Sequence, residues 1–106
     1  MSTITSESAM LRAAIAARRD ALDEILLRYA ATNPRLFGSV ARGDATATSD
    51  VDLLVDLLPS GGNELLRVAG IAEELSHVLG HRVDVVTPTL LRREVSATAM
   101  ADAVPV

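Results

Sequence analysis

The sequence predicts a small α/β (α+β) domain in which a mixed β-sheet is packed with helices, and three observations carry that prediction. Apolar residues recur at helical spacing over two long segments, 9–31 and 63–79. Two shorter runs, 51–58 and 82–86, are rich in Val and Leu and read as strands. Pro, Gly and Asn stand between these segments, where turns are needed. At 106 residues the chain has the length of one domain. Residues 1–8 are polar and read as a flexible N-terminus, leaving 9–106 as a single domain.

In chain order, Leu11, Ile15, Leu22, Ile25, Leu26 and Tyr29 form the stripe of one long first helix, with Arg18 intruding on it. Ser8 is placed to cap its start, and Asn33-Pro34 to end it, because a residue before proline is pushed out of the helical region. Arg35-Leu36-Phe37 reads as a short strand entering the Gly38-Ser39 turn. Ser39 to Arg42 forms a helical turn stopped by Gly43, and 44–49 is a loop of small residues. The strand at 51–58 closes on Pro59-Ser60-Gly61-Gly62. Asn63 caps the second long helix, which carries Leu65, Leu66, Ala69, Ala72, Leu75, Val78 and Leu79 on one side and stops at Gly80. Pro88 breaks the strand at 82–86, and Thr89 caps a last helix through about Ala101.

Composition excludes several chemistries. Cysteine is absent, which removes disulfides, thiolate zinc sites and cysteine nucleophiles. Two histidines are too few for a histidine-rich metal site. The net charge is −4, all ten basic residues are arginine, and one Tyr and one Phe are the only aromatics. A general nucleic-acid binder needs a cationic surface and stacking platforms, so no direct nucleic-acid binding is expected. Charges at Arg12, Arg18, Arg19, Asp20, Asp23 and Glu24 exclude a signal peptide or membrane span in the first thirty residues, and a soluble, cytoplasmic protein is expected.

The chemistry concentrates in Gly38-Ser39, ten intervening residues, then Asp50-Val51-Asp52, with a further carboxylate at Asp84. Residues two apart on a strand share a face, about 6.6 Å apart, so Asp50 and Asp52 project together. Such carboxylates repel, and a hard cation such as Mg²⁺ relieves them. With Asp84 from a neighbouring strand, two ions can be bridged for in-line attack on a phosphate, with Asp84 as the candidate general base. Gly38 permits close backbone approach to a ligand, Ser39 opens a turn whose amides suit an anion, and Arg42 is placed to pair with phosphate oxygens.

The stretch from Gly38-Ser39-Val40-Ala41-Arg42-Gly43-Asp44-Ala45 through Ser49-Asp50-Val51-Asp52-Leu53-Leu54-Val55 resembles the minimal nucleotidyltransferases (MNT) of the DNA polymerase β superfamily. Arg82-Val83-Asp84-Val85-Val86-Thr87 resembles their third acidic strand, and Leu91-Arg92-Arg93-Glu94 with Ala103-Val104-Pro105 their C-terminal region. The resemblance implies triphosphate binding at Gly38 and Ser39, and metal binding at Asp50, Asp52 and Asp84. It further implies an antitoxin that uses Mg²⁺ to transfer AMP from ATP to a tyrosine of a HEPN-domain ribonuclease toxin.

Other residues have plainer readings. Asp56 reads as a solvated strand end, Asp44 as a loop residue, and Glu73-Glu74 and Arg92-Arg93 as solvated surface. His77 and His81 read as structural or surface residues, and Tyr29 as core or interface. Arg42 divides between phosphate contact and a structural ion pair. Two other functions fit the same chain: an antitoxin that neutralises its partner by binding alone, suggested by the long end helices, and nucleotidyl transfer to a small molecule. The latter usually has an additional helical domain for the acceptor.

Overall fold

Asp52 lies near the start of an inner strand of a four-stranded sheet formed by the described residues, and helices pack against that sheet. A computed structural model gives the architecture and describes residues 4–90 and 103–106. The elements are α1 (Ser6–Ala17), α2 (Arg19–Arg28), β1 (Ala31–Phe37), α3 (Gly38–Arg42), β2 (Val51–Leu57), α4 (Glu64–Leu79), β3 (Val83–Val86) and β4 (Val104–Pro105). The sheet order is β3-β2-β1-β4; β2 pairs parallel with β3 and antiparallel with β1, which pairs antiparallel with β4. The mixed α/β class expected from the sequence is the one observed.

Strand β2 is an inner strand, paired with β1 on one side and β3 on the other, and the face that carries Val51, Leu53 and Val55 is wholly apolar. Val51, Leu53 and Val55 enter the main core with Ile71 and Leu75 of α4 and Leu22 and Ile25 of α2. Leu54, on the opposite face, has no exposed surface at all. Each such side chain contributes about 1.5–3 kcal/mol relative to exposure, so the strand carrying Asp52 is firmly seated.

The single first helix expected from the sequence is two. Its apolar stripe is as read, but Arg18 falls on that stripe and stays exposed. Burying an unpaired guanidinium is expensive, and the helix opens there instead, with Arg18 at φ −110° and ψ 22°. Thr5, not Ser8, caps the start: its side chain accepts from the Ser8 amide at 3.1 Å, and the helix begins at Ser6. Asn33-Pro34 does not end the helix either. The chain leaves α2 at Tyr29, and Asn33 and Pro34 form an irregularity within β1 where the register with β2 shifts between Thr32 and Arg35. Proline has no amide to give to a ladder, so a bulge is where a strand tolerates it.

Helix α4 begins at the expected cap, the Asn63 side chain accepting from Leu66 N at 3.1 Å, and ends at Gly80 in the left-handed region. Its buried face is turned from the expected one: Leu65 and Leu66 are 62% and 73% exposed, whereas Arg67, Val68, Ile71 and Leu75 are buried. Arg67 accounts for the rotation. Its guanidinium donates to the Tyr29 and Ala30 carbonyls at 2.9 and 2.6 Å, satisfying the open end of α2. Thr87 rather than Thr89 caps the helical turn at 88–90, accepting from Leu90 N at 3.2 Å, with Pro88 in the first helical position. The remainder of the expected last helix, including Arg92 and Arg93, lies outside the described residues.

Candidate active site

Strand register brings Asp52 and Asp84 side by side next to the Gly38 turn. Phe37 of β1 is paired with Asp52 of β2, and Asp52 with Asp84 of β3, so one row crosses three strands. Gly38 follows Phe37 with φ +70°, and a Cβ there would lie 2.3 Å from Asp52 Oδ2. Glycine is required twice over, by the backbone angle and by the carboxylate against its Cα. Asp50 precedes β2 by one residue rather than lying within it.

A network of main-chain contacts fixes the loop before Asp50. Val51 N donates to Arg82 O at 3.0 Å, and Ser49 N to Thr46 O at 3.1 Å. His81 Nε2 lies 2.7 Å from Ser49 O and donates to it, ring N–H to carbonyl. His81 is thus structural, as expected, but its place beside Asp50 was invisible without the fold. His77 is exposed.

Helix α1 braces the turn from behind. Arg12 donates from Nε to Val40 O at 3.1 Å and from its terminal nitrogen to Ala41 O at 2.7 Å. Thr5 N donates to Gly43 O at 2.9 Å, and Ala45 N to the hydroxyl of fully buried Ser8 at 2.8 Å. Gly43 closes α3 with φ 84°, its amide donating to Ser39 O at 2.9 Å. No local sequence signal points from Arg12 to residues 40 and 41; only the tertiary fold reveals the brace.

The electrostatics are those of an acidic centre short of positive charge. Burial, then the charges of Asp84 and Asp50, raise the Asp52 carboxyl to a pKa of about 6, while Arg42 acts in the opposite direction. Arg42 Nε also lies 3.3 Å from Asp44 Oδ2, so Arg42 serves an ion pair and the field at Asp52 together. Arg82, which the sequence reading left out of the site, places its Nε 3.6 Å from Asp50 Oδ2 and 3.8 Å from Asp84 Oδ1. Its two-residue offset from Asp84 was the readable signal, since alternate strand residues share a face.

Among the described residues no group of three or more His, Asp or Glu side chains is closed around a point that would hold a metal ion. The residues nevertheless fit one: the donors are hard carboxylate oxygens, and Asp52 is raised to about 6 first by burial and then by the charges of Asp84 and Asp50, whose repulsion a divalent cation would relieve.

Two of the plainer expectations need correction. Asp56 is not merely solvated: it accepts from Arg35 at 2.7 Å and from Asn33 Nδ2 at 3.0 Å, tying the β1 bulge to β2. Glu74 is not simply a solvated helix face, since it accepts from the Tyr29 hydroxyl and pairs with Arg28. Tyr29 itself packs against the core, as expected.

No helix among the described residues is long and apolar enough to cross a membrane. The family model of the nucleotidyltransferase domain matches residues 19–105. The protein adenylyltransferase MntA of Thermococcus cleftensis is 36% identical over 83 residues, which are 76% of this chain and 80% of that protein. A protein assigned as a protein adenylyltransferase in Methanocaldococcus jannaschii is 41% identical over 63 residues, 59% of this chain and 66% of that one. A solved structure assigned as a minimal nucleotidyltransferase superposes with a TM-score of 0.67 at 37% identity, covering 91% of this chain and 95% of the other. With the matched region spanning every element from α2 to β4 and enclosing the Gly38, Asp52 and Asp84 row, the chain belongs to the nucleotidyltransferase domain family and is a transferase.

Proposed function

We propose that this chain is a Mg²⁺-dependent protein adenylyltransferase that transfers AMP from ATP to a hydroxyl, a tyrosine of a cognate HEPN ribonuclease toxin, and acts as its antitoxin. The observation that carries the chemistry is the pairing of Asp52 with Asp84 across β2 and β3, directly beside the glycine-opened turn at Gly38. The 36% identity to a protein adenylyltransferase over most of both chains supports the class of acceptor.

In this reading Gly38 and Ser39 receive the triphosphate, and Arg42 steadies its oxygens. Asp50, Asp52 and Asp84 would hold two magnesium ions, which supply charge neutralisation at the phosphates and lower the acceptor's proton affinity. The acceptor oxygen forms a bond to the α-phosphorus as the bond to the bridging oxygen breaks, and pyrophosphate leaves with that electron pair. Asp84 takes the acceptor proton.

The test is label transfer from ATP carrying ³²P at the α-phosphate to the toxin co-purified with this chain. Asp50→Asn/Asp52→Asn should lower labelling at least about a hundredfold while the complex still forms, a loss on the scale of removing metal and charge stabilisation. Undiminished labelling by the double variant would exclude the mechanism.

A further inference from the structure

Asp52 is paired with Asp84 across β2 and β3, and one basic side chain lies within 4 Å of both Asp50 and Asp84. Arg82 is anchored by its main chain, whose carbonyl accepts from Val51 N at 3.0 Å, at the point where β3 joins β2. Its side chain is 74% exposed, yet its Nε stands 3.6 Å from Asp50 and 3.8 Å from Asp84. Both distances exceed a direct hydrogen bond. The guanidinium is therefore held by charge and not by directed bonds, and exposed pairs of that kind are weak.

We infer that Arg82 is a built-in counter-ion of the acidic site, holding Asp50 and Asp84 together until a divalent cation displaces it. This rests on the reading of the three aspartates as the cation site. A guanidinium beside the start of β3, near both Asp50 and Asp84, lowers the repulsion between those two carboxylates. The same positive charge opposes an arriving cation. Arg82 thus keeps the site assembled while empty, weakens its hold on a lone ion, and can swing outward on its long stem when the ion enters.

That dual role gives two effects of opposite sign, which a merely structural arginine would not produce. Arg82→Ala should lower the melting temperature in chelator at low salt, and should bind Mn²⁺ alone, measured by calorimetry or by loss of the free-ion electron paramagnetic resonance signal, about three- to tenfold more tightly than wild type. Arg82→Gln, which keeps the length and polarity of the side chain, should follow Arg82→Ala. Arg82→Lys keeps the charge and should stay near wild type in both readouts. Mn²⁺ affinity that is unchanged or weaker in the alanine and glutamine variants overturns the inference while leaving the cation site standing. Failure of wild type and every Arg82 variant to take up Mn²⁺ removes the cation site itself, and the inference with it.

Discussion

Asp52 holds a carboxyl where burial and two neighbouring carboxylates make its ionisation costly. It lies against the Cα of Gly38, next to Asp84 across the strand pair, and its pKa is raised from an ordinary 3.8 to about 6. Between those values the folded protein binds a proton that the unfolded chain has released, so stability falls as pH rises through this window, and above it the full cost is present. Asp52 is half-buried, and after solvent screening the cost is about 1–2 kcal/mol. Asp52→Asn should therefore raise the melting temperature of metal-free protein by several degrees at about pH 8, and by little near pH 4. A lower melting temperature for the variant at the higher pH in chelator would contradict close packing of the aspartates. The side-by-side placement of Asp52 and Asp84 was legible in the sequence because alternate strand residues share a face, whereas Asp50 lies one residue before β2. Arg82 obeys the same parity as Asp84, but nothing local shows that its guanidinium turns back to Asp50 and Asp84.

At the scale of elements, the short helix α3 has only five residues and cannot be stable on its own. It is held at its far end by Arg12, whose two hydrogen bonds to the Val40 and Ala41 carbonyls reach across from α1. Charged donors to carbonyls are worth about 1.5–3 kcal/mol each when both partners are fixed, less when, as here, the side chain is only partly buried. Arg12→Ala should speed amide exchange of Gly43 and Asp44, whose N–H groups bond to Ser39 O, by about tenfold, with a smaller effect in α4. Unchanged protection at those two amides would show that α3 needs no brace. The elements most faithfully read from sequence were β2, β3 and the limits of α4, where Val-rich runs and the Asn63 and Gly80 signals agree. The misread ones were decided by distant partners. Arg67 turned the face of α4 to cap α2, and the β1 bulge made a place for Asn33-Pro34 beside Asp56. Strand β4 is two residues long and includes a proline, so nothing local marks it as a strand.

Across the whole molecule, the antiparallel β1–β2 pair and the parallel β2–β3 pair make a single fold serve two purposes. Their apolar residues on one face build the core with α1, α2 and α4, and their register places the Gly38 turn, Asp52 and Asp84 side by side. A one-residue slip of β3 would turn Asp84 to the other face and bury it among Val51, Leu53 and Leu75, which the core could not accept. Hydrophobic register thus enforces the position of the acidic row, and the pairing of Asp52 with Asp84 was legible because apolar and acidic positions alternate along the same strands. The most direct measurement is anomalous scattering from crystals of the protein grown with Mn²⁺ and a non-hydrolysable ATP analogue. Manganese peaks within bonding distance of Asp50, Asp52 and Asp84, with the analogue's triphosphate on Gly38 and Ser39, are the result expected. Bound analogue with manganese elsewhere, or with none between those carboxylates, would contradict the account.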